Sequence, residues 1–538
     1  MKGIKNQIAL LIIGMGLFFS TGTITYAQTS EYEPLAEYLN KMGLFNGTGT
    51  SFELDKTANR AQSAAMVVRL MGKEAEAMAN NYTHPFKDVA DWADPYVGYL
   101  WTKGITKGLD DDEYGSSRLI SAKEYMSFLL RVLGYSDAQG DFVWYNSLSK
   151  ANNIGILSYS DYKSYEANTE FYRNDMVLFS YEVLGADLKS DRGTSLLKSL
   201  KDKTVLPEDA LLEYIYAPYI STQRNYAPKS NDELVISIVQ GILAFDSALT
   251  IDISGVPRAD VPSAVDRAME ISNKLPGFYA NAELMEYRYS ILQAKIDITY
   301  MVSKYEHEKA VSKAKTVINE IIDNSMSDFQ RELAIHDYIV DNTEYYFLEP
   351  YCYDMSGVFL KNKAVCGGYA EAFSYLSALA GIETEIVLGD DFDSLDDLGH
   401  AWNTVKIGGD WYQMDVTWND PVMKDGSNVK TYSYFNVTDA EMKKDHIWDD
   451  SIYNRATVDT YNYYVYNNLT VNGAAELEHA LRGSAKKRPS RIAYKNIGST
   501  ISDSTIDTIL GNLSSIEECQ YFYDTKTGVL ELFSITYR

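Results

Sequence analysis

The apolar positions of the first 190 residues recur in a long rhythm. Gly43-Leu44, Gly104-Ile105 and Gly155-Ile156 each close an amphipathic segment, and Gly72, Gly134 and Gly185 follow 29, 30 and 30 residues later. The second glycines end similar runs: Met66-Val67-Val68-Arg69-Leu70-Met71, Phe128-Leu129-Leu130-Arg131-Val132-Leu133 and Phe179-Ser180-Tyr181-Glu182-Val183-Leu184. Apolar residues three and four apart, stopped by glycine, predict helices. Residues 28–190 therefore read as three helix-loop-helix units, at about 30–75, 84–136 and 141–188. The helical period continues through 191–325, as in Ala282 to Lys304 and Ala310 to Ile322, broken by Pro207, Pro218, Pro228, Pro257 and Pro262. That pattern predicts a mostly helical linker domain without evident chemistry. From about 455 to 538, Tyr- and Asn-rich strands with one helical segment near Ala474 to Arg482 predict a small α+β domain.

In the second unit, Pro85-Phe86-Lys87-Asp88-Val89, Trp92-Ala93, Tyr96-Val97 and Gly104-Ile105 precede the glycine spacing. This combination resembles S-layer homology repeats, with weaker matches in units one and three. The resemblance implies a compact helical unit that anchors a secreted protein to the anionic polysaccharide of a Gram-positive cell wall. Such repeats carry a basic residue twelve positions before the closing glycine. Here that position holds Arg60, Ala122 and Arg173, with Lys123 one place late in the second unit. Arg60, Lys123 and Arg173 are thus the implied polysaccharide-binding residues. The bland alternative is a helical spacer.

Charge sharpens that picture. Lys and Arg total 49 against 75 Asp and Glu, a formal charge of −26, which disfavours nucleic-acid binding and attraction to anionic lipid. An acidic chain meeting an acidic glycan needs local cations, because charge-assisted bonds act at short range while the bulk field repels. With 46% apolar and 13% aromatic residues the chain is not disordered. Lys2 and Lys5, the apolar run Ile8 to Phe19 and Thr25-Tyr26-Ala27 have the layout of a secretory signal peptide over residues 1–27. The apolar run is too short to span ~30 Å of hydrocarbon, so no membrane insertion is expected after its removal. Cys352, Cys366 and Cys519 are the only cysteines. Three cannot build a disulfide framework, and their odd number leaves at least one thiol without a partner in the chain.

Chemistry concentrates between residues 325 and 450. Ala364-Val365-Cys366-Gly367-Gly368-Tyr369 opens a predicted helix whose apolar stripe, Tyr369, Ala372, Phe373, Leu376 and Leu379, runs to Gly381. Cys366 then sits at the helix N-terminus, where unpaired N–H groups favour a thiolate. The two glycines after it let another backbone or a substrate approach closely. His400 to Ile407 and Trp411 to Thr417 flank Gly408-Gly409 and read as antiparallel strands. A two-residue turn pairs His400 with Thr417 and Trp402 with Asp415, making His400 and Asp415 diagonal neighbours ~7 to 8 Å apart on one face. A three-residue turn would place them on opposite faces. A thiolate, a base and an orienting carboxylate are the parts of nucleophilic catalysis.

The order Cys, His, Asp, with Val-Cys-Gly-Gly-Tyr-Ala (365 to 370), Gly-His-Ala-Trp-Asn (399 to 403) and Asp-Val-Thr-Trp-Asn-Asp-Pro (415 to 421), resembles the transglutaminase-like cysteine protein superfamily, in particular its bacterial secreted branch. The resemblance spans Ser327 to Trp448, including Leu333 to Ile339, Tyr434-Phe435-Asn436-Val437 and Asp445-His446. It implies an α+β, papain-like domain over 326–450 with Cys366 as nucleophile, His400 as base and Asp415 as orienting acid. The usual acidic residue after the cysteine is replaced by Gly367. The implied reaction is acyl transfer from an amide of protein or wall peptide through a thioester, by hydrolysis or amine capture.

Other residues carry less. His336 shares a helical stripe with Phe329, Leu333 and Val340 and reads as core, and His446 as capping or packing behind the site. Asp390, Asp391, Asp393, Asp396 and Asp397 form an acidic loop without the glycine and terminal Glu of an EF-hand. Neither a zinc cluster nor a phosphate cradle is evident, so no metal and no cofactor are expected. The expected fold class is multidomain: an all-α repeat unit and helical linker, then an α+β transglutaminase-like domain and a small α+β domain. The expected function is a wall-anchored, secreted cysteine enzyme acting on amide bonds. The alternative is a catalytically silent surface interaction module held by the same repeats.

Overall fold

A computed structural model describes residues 32–47, 51–167, 170–207, 209–219, 228, 230–279, 281–323, 325–391, 399–421 and 429–538. The leader expected at 1–27, and Asp393, Asp396 and Asp397 of the acidic segment, lie outside the described residues. None of the described helices is long and apolar enough to cross a membrane.

Helices Glu33–Lys41, Arg60–Leu70, Asp94–Thr102, Ala122–Val132, Ser147–Asn153 and Arg173–Gly185 pack around one apolar core that includes Leu39, Val67, Leu100, Leu129 and Phe179. Each opening glycine ends its helix in the same way. Gly43, Gly104 and Gly155 have φ of 71°, 70° and 81°, and the N–H of Leu44, Ile105 and Ile156 reaches back to the carbonyl of Leu39, Leu100 and Ala151. This six-to-one bond is the Schellman stop, which requires a left-handed residue. The closing glycines are less uniform: Gly72 and Gly134 are left-handed, whereas Gly185 belongs to its helix. The units interlock through backbone bridges, Asn59 with Leu119 and Thr57 with Tyr172, so the second helix of every unit starts from one shared junction.

The segment after the repeats corrects the expectation of a mostly helical linker. Helices Asn231–Leu243 and Val261–Lys274 pack with a three-stranded antiparallel sheet whose central strand, Gln293–Tyr300, lies between Ala248–Asp252 and Ala282–Tyr289. Ala282 to Lys304, read as helix, is mainly a hairpin. Ala294, Ile296 and Ile298 face the core in strict alternation, the period of a half-buried strand. Ile291 and Leu292 mimicked a helical stripe, yet they sit 70% and 60% exposed at the hairpin turn. The helix predicted over Ala310 to Ile322 is the last part of Lys304–Ile321, with Ile322 as its C-cap.

The segment bearing the candidate site joins helices Asp328–Asn342 and Cys366–Ala380 to a four-stranded antiparallel sheet ordered Asp410–Met414, His400–Ile407, Thr384–Asp391 and His446–Ile447. Every residue from Gly367 to Ala380 is buried, so the Cys366 helix is a central rod packed on the sheet and on neighbouring helices. The last segment has a four-stranded sheet, ordered Thr470–Val471, Ile492–Asn496, Val529–Tyr537 and Ile516–Asp524, with helices Ala474–Ala485 and Asp503–Gly511. The second of these helices was not foreseen.

Candidate active site

The chain reaches Cys366 through Lys363–Ala364, which pairs in parallel with Glu344–Tyr345, and then turns into the helix. Val365 is the N-cap in extended conformation and offers no capping side chain. The first N–H groups of the helix have no carbonyl within it, and they surround the partly exposed thiol with positive potential. Both following glycines are required by close approach. A Cβ at Gly368 would lie 2.5 Å from the Cys352 carbonyl oxygen, and one at Gly367 would lie 2.7 Å from a ring carbon of Tyr279.

The Gly408-Gly409 turn is a two-residue one: Ile407 pairs with Asp410, and the register runs on to Asn403 opposite Met414. Regular pairing ends there, and the Asp415 N–H bonds the Tyr434 carbonyl. On the face the turn dictates, His400 Nε2 donates to Asp415 Oδ2 at 2.6 Å. Asp415 engages only Nε2 of the ring, and Cys366 lies close enough to interact electrostatically with the imidazole. Thus the structure brings the three residues together, in the order thiol, imidazole, carboxylate.

The ring of His400 stacks on Trp402, with centroids 5.7 Å apart, and packs against Trp418 at 5.9 Å. Burial opposes an imidazolium here, but the Asp415 carboxylate, and behind it the Cys366 contact, outweigh that and push the His400 pKa up to about 10. Burial would likewise favour a neutral Asp415. Its two histidine partners win and hold it well below the ordinary carboxylate range, while Oδ1 accepts the Trp418 N–H at 2.9 Å. The coupled pair is therefore poised as imidazolium and carboxylate.

The second histidine partner is His446. Its Nε2 donates to Asp415 Oδ2 at 3.1 Å, its Nδ1 to Asp445 Oδ1 at 2.7 Å, and Asp445 accepts the Tyr434 hydroxyl at 2.6 Å. His446 does lie behind the site, but as a hydrogen-bonding member of it; the Asp445-His446 pair in the sequence was the available signal. His336 is fully buried against Tyr432 and Phe435, away from this constellation. His400, Asp415 and His446 offer ligand atoms within 4.8 Å of one another, the one such cluster among the described residues. Those atoms already hydrogen-bond each other, so the arrangement satisfies itself without an ion.

Two tyrosines complete the surroundings of the thiol. Tyr279 belongs to the segment preceding the site and shares a small apolar cluster with Cys366, Ala370, Ile386 and Ala401. Tyr345 is raised to about 12 by burial and then by Cys366, and remains 42% exposed at the rim. Neither was singled out in the sequence; Gly367, where an acidic residue is usual, was the mark left by the first.

The implied glycan-binding cations stand differently. Arg60 is 5% exposed and donates to the carbonyls of Tyr114 at 3.0 Å and Lys107 at 3.1 Å, both in the second unit. Arg173 is 6% exposed and donates to Phe52 at 2.9 Å and Asn46 at 3.5 Å in the first. Both guanidinium groups join units from within. Lys123 is partly exposed.

Residues 315–416 match the model of the transglutaminase-like superfamily. This segment is a transglutaminase-like domain. The chain is also similar to a middle cell wall protein of Brevibacillus brevis, 28% identical over 28% of this chain and 15% of that one, and to a cell surface protein of Thermoanaerobacter kivui, 28% identical over 29% and 22%. It resembles the human kyphoscoliosis peptidase at 24% identity over 23% of this chain and 21% of the other. The chain thus spans about a fifth or less of the length of the curated relatives it matches.

Proposed function

We propose that this protein is a cysteine enzyme of acyl transfer held at a bacterial cell surface, with Cys366 as nucleophile, His400 as acid and base, and Asp415 as orienting carboxylate. The observation that carries the reading is the hydrogen bond from His400 to a fully buried Asp415, with the partly exposed thiol of Cys366 close enough to act on the same imidazole. Sγ of the thiolate attacks an amide carbonyl carbon; the C–N bond breaks and the imidazolium gives its proton to the departing amine. Water or a second amine then attacks the thioester, His400 accepts its proton, and the thiolate leaves. The N–H groups of the helix start supply donors for the transient oxyanion. The substrate class is an amide of protein or wall peptide.

The surface location rests on two supports, the three glycine-punctuated units and the similarity to cell wall and cell surface proteins. Secondary wall polysaccharide is the proposed partner. Because Arg60 and Arg173 spend their N–H groups on backbone carbonyls, their part in anchoring is to fix the junction between units. Lys123 is the cation of the three that reaches solvent.

Alkylation of Cys366 by iodoacetamide tests the catalytic reading without a known substrate. Rapid reaction at neutral pH is expected, with His400→Ala moving it to higher pH and Asp415→Ala disturbing it less. Reaction like that of an ordinary thiol, unmoved by His400→Ala, would leave the silent interaction module as the better account.

A further inference from the structure

The departure at Gly367 is matched by a feature far away in sequence. A side chain at this position would have to displace Tyr279, because its Cβ would meet the ring's Cε1 at 2.7 Å and Cδ1 at 3.5 Å. One edge of the ring therefore lies against the residue that follows the nucleophile. Tyr279 lies outside residues 315–416, in the loop between helix Val261–Lys274 and strand Ala282–Tyr289.

That loop is strapped to the Cys366 helix at several points. The buried Asn281 amide donates to Asp354 Oδ2 at 2.9 Å. Asp354 lies next to Met355, whose N–H donates to the buried Glu371 of the Cys366 helix at 2.5 Å. Gly277, with φ of 82°, lies so close to Tyr375 that a Cβ would come within 2.9 Å of the ring, and Tyr216 bonds the Pro276 carbonyl. A side chain held by its backbone on both sides keeps one position.

Glu344–Tyr345 pairs with Lys363–Ala364 just before Cys366, and Tyr345, which interacts electrostatically with the thiol, is still 42% exposed. Tyr345 is thus the exposed ring near Cys366 and Tyr279 the half-buried one.

We infer that Tyr279 is a specificity-determining residue: it walls one side of Cys366 and limits the width of the acyl group that can reach the thiol. Branched or bulky acyl groups meet the fixed ring before their carbonyl carbon reaches Sγ. The segment that contributes Tyr279 is then part of the active site and not a linker. The inference deepens the proposed function and rests on Cys366 being the nucleophile.

The test uses the full chain and two thiol reagents of different width, iodoacetamide and N-phenylmaleimide, with modification at Cys366 read by peptide mass so that Cys352 and Cys519 do not contribute. In Tyr279→Ala the ratio of the bulky to the slim rate is expected to rise about tenfold or more, the scale on which pocket walls discriminate. Tyr279→Phe should keep the parent ratio, and Tyr279→Leu, which retains apolar bulk for folding, should fall between. Gly367→Ala should slow both reagents, and adding Tyr279→Ala should restore the rates, since the two groups compete for one space. An unchanged ratio in both Tyr279→Ala and Tyr279→Leu, with native circular dichroism, would overturn the proposal. Failure of the catalytic reading looks different: there the pH profile ignores His400→Ala, whatever the size ratio does.

Discussion

Arg60 and Arg173 in the repeats, and His400 and Asp415 at the site, are all charged side chains removed from water, but they are partnered in opposite ways. Arg60 ends on backbone carbonyls and the Glu124 carboxylate of the neighbouring unit and Arg173 on backbone carbonyls, so neither guanidinium group has an end open to solvent. At the site every buried member is held by another titratable group, from Tyr434 through Asp445, His446 and Asp415 to His400, and the line ends at a thiol still in contact with solvent. A closed set of partners makes buried charge a fastener. An open end makes it a device that delivers a proton to one place.

Cutting the line should give the largest effect. Asp415→Ala removes the group that keeps His400 charged and oriented, and turnover of any amide substrate should fall on the order of 10³-fold or more, as measured by kcat. His446→Gln retains a donor toward Asp415 and should cost much less. Equal losses in the two would mean that His446 acts on the reaction as directly as Asp415.

Less drastic, the ionic character of the site should appear in stability. The folded pKa of His400 is raised from the ordinary 6.5 to about 10, so the folded state binds the proton more tightly than the unfolded chain does. This contribution is complete below about pH 6.5 and declines as pH rises toward 10. Denaturant unfolding of the parent should show that loss on the alkaline side, and Asp415→Asn should flatten it. Asp415 works in the other direction, adding stability above the normal carboxylate range that is lost only in strong acid.

Legibility in the sequence followed the same division. Helix stops in the repeats, the Cys366 helix and the pairing of His400 with Asp415 are local: a glycine, a period or a two-residue turn determines each one. The hairpin at Ala282 to Tyr300 differs from the helix expected there because Ile291 and Leu292, which are exposed, complete a false helical stripe, although Gln293-Ala294-Lys295-Ile296-Asp297-Ile298 already alternates polar and apolar as a half-buried strand does. The contacts of Tyr279 with Gly367, and of Arg60 with Tyr114, join residues far apart in the chain, and no periodicity encodes such a meeting. Residue type marked the cations of the repeats as candidate glycan contacts, but it could not say that two of them face inward.

The inward arginines allow the finest test of the comparison, because a fastener and a ligand fail differently. Arg60→Ala leaves the Tyr114 and Lys107 carbonyls without their donor and should lower the stability of the full chain by about 1 to 3 kcal/mol, with Arg173→Ala similar. Lys123 is partly exposed and near the same junction, so Lys123→Ala should change stability by less than about 0.5 kcal/mol. Co-sedimentation with purified cell walls then separates the roles. Lys123→Ala should weaken retention at full stability, whereas Arg60→Ala should weaken it only at temperatures where the repeat unit loosens. Walls stripped of their non-peptidoglycan polysaccharide should retain none of the variants. If Arg60→Ala abolished binding while unfolding at the parent's denaturant concentration, the arginine would be a direct glycan contact and the fastener reading would be wrong.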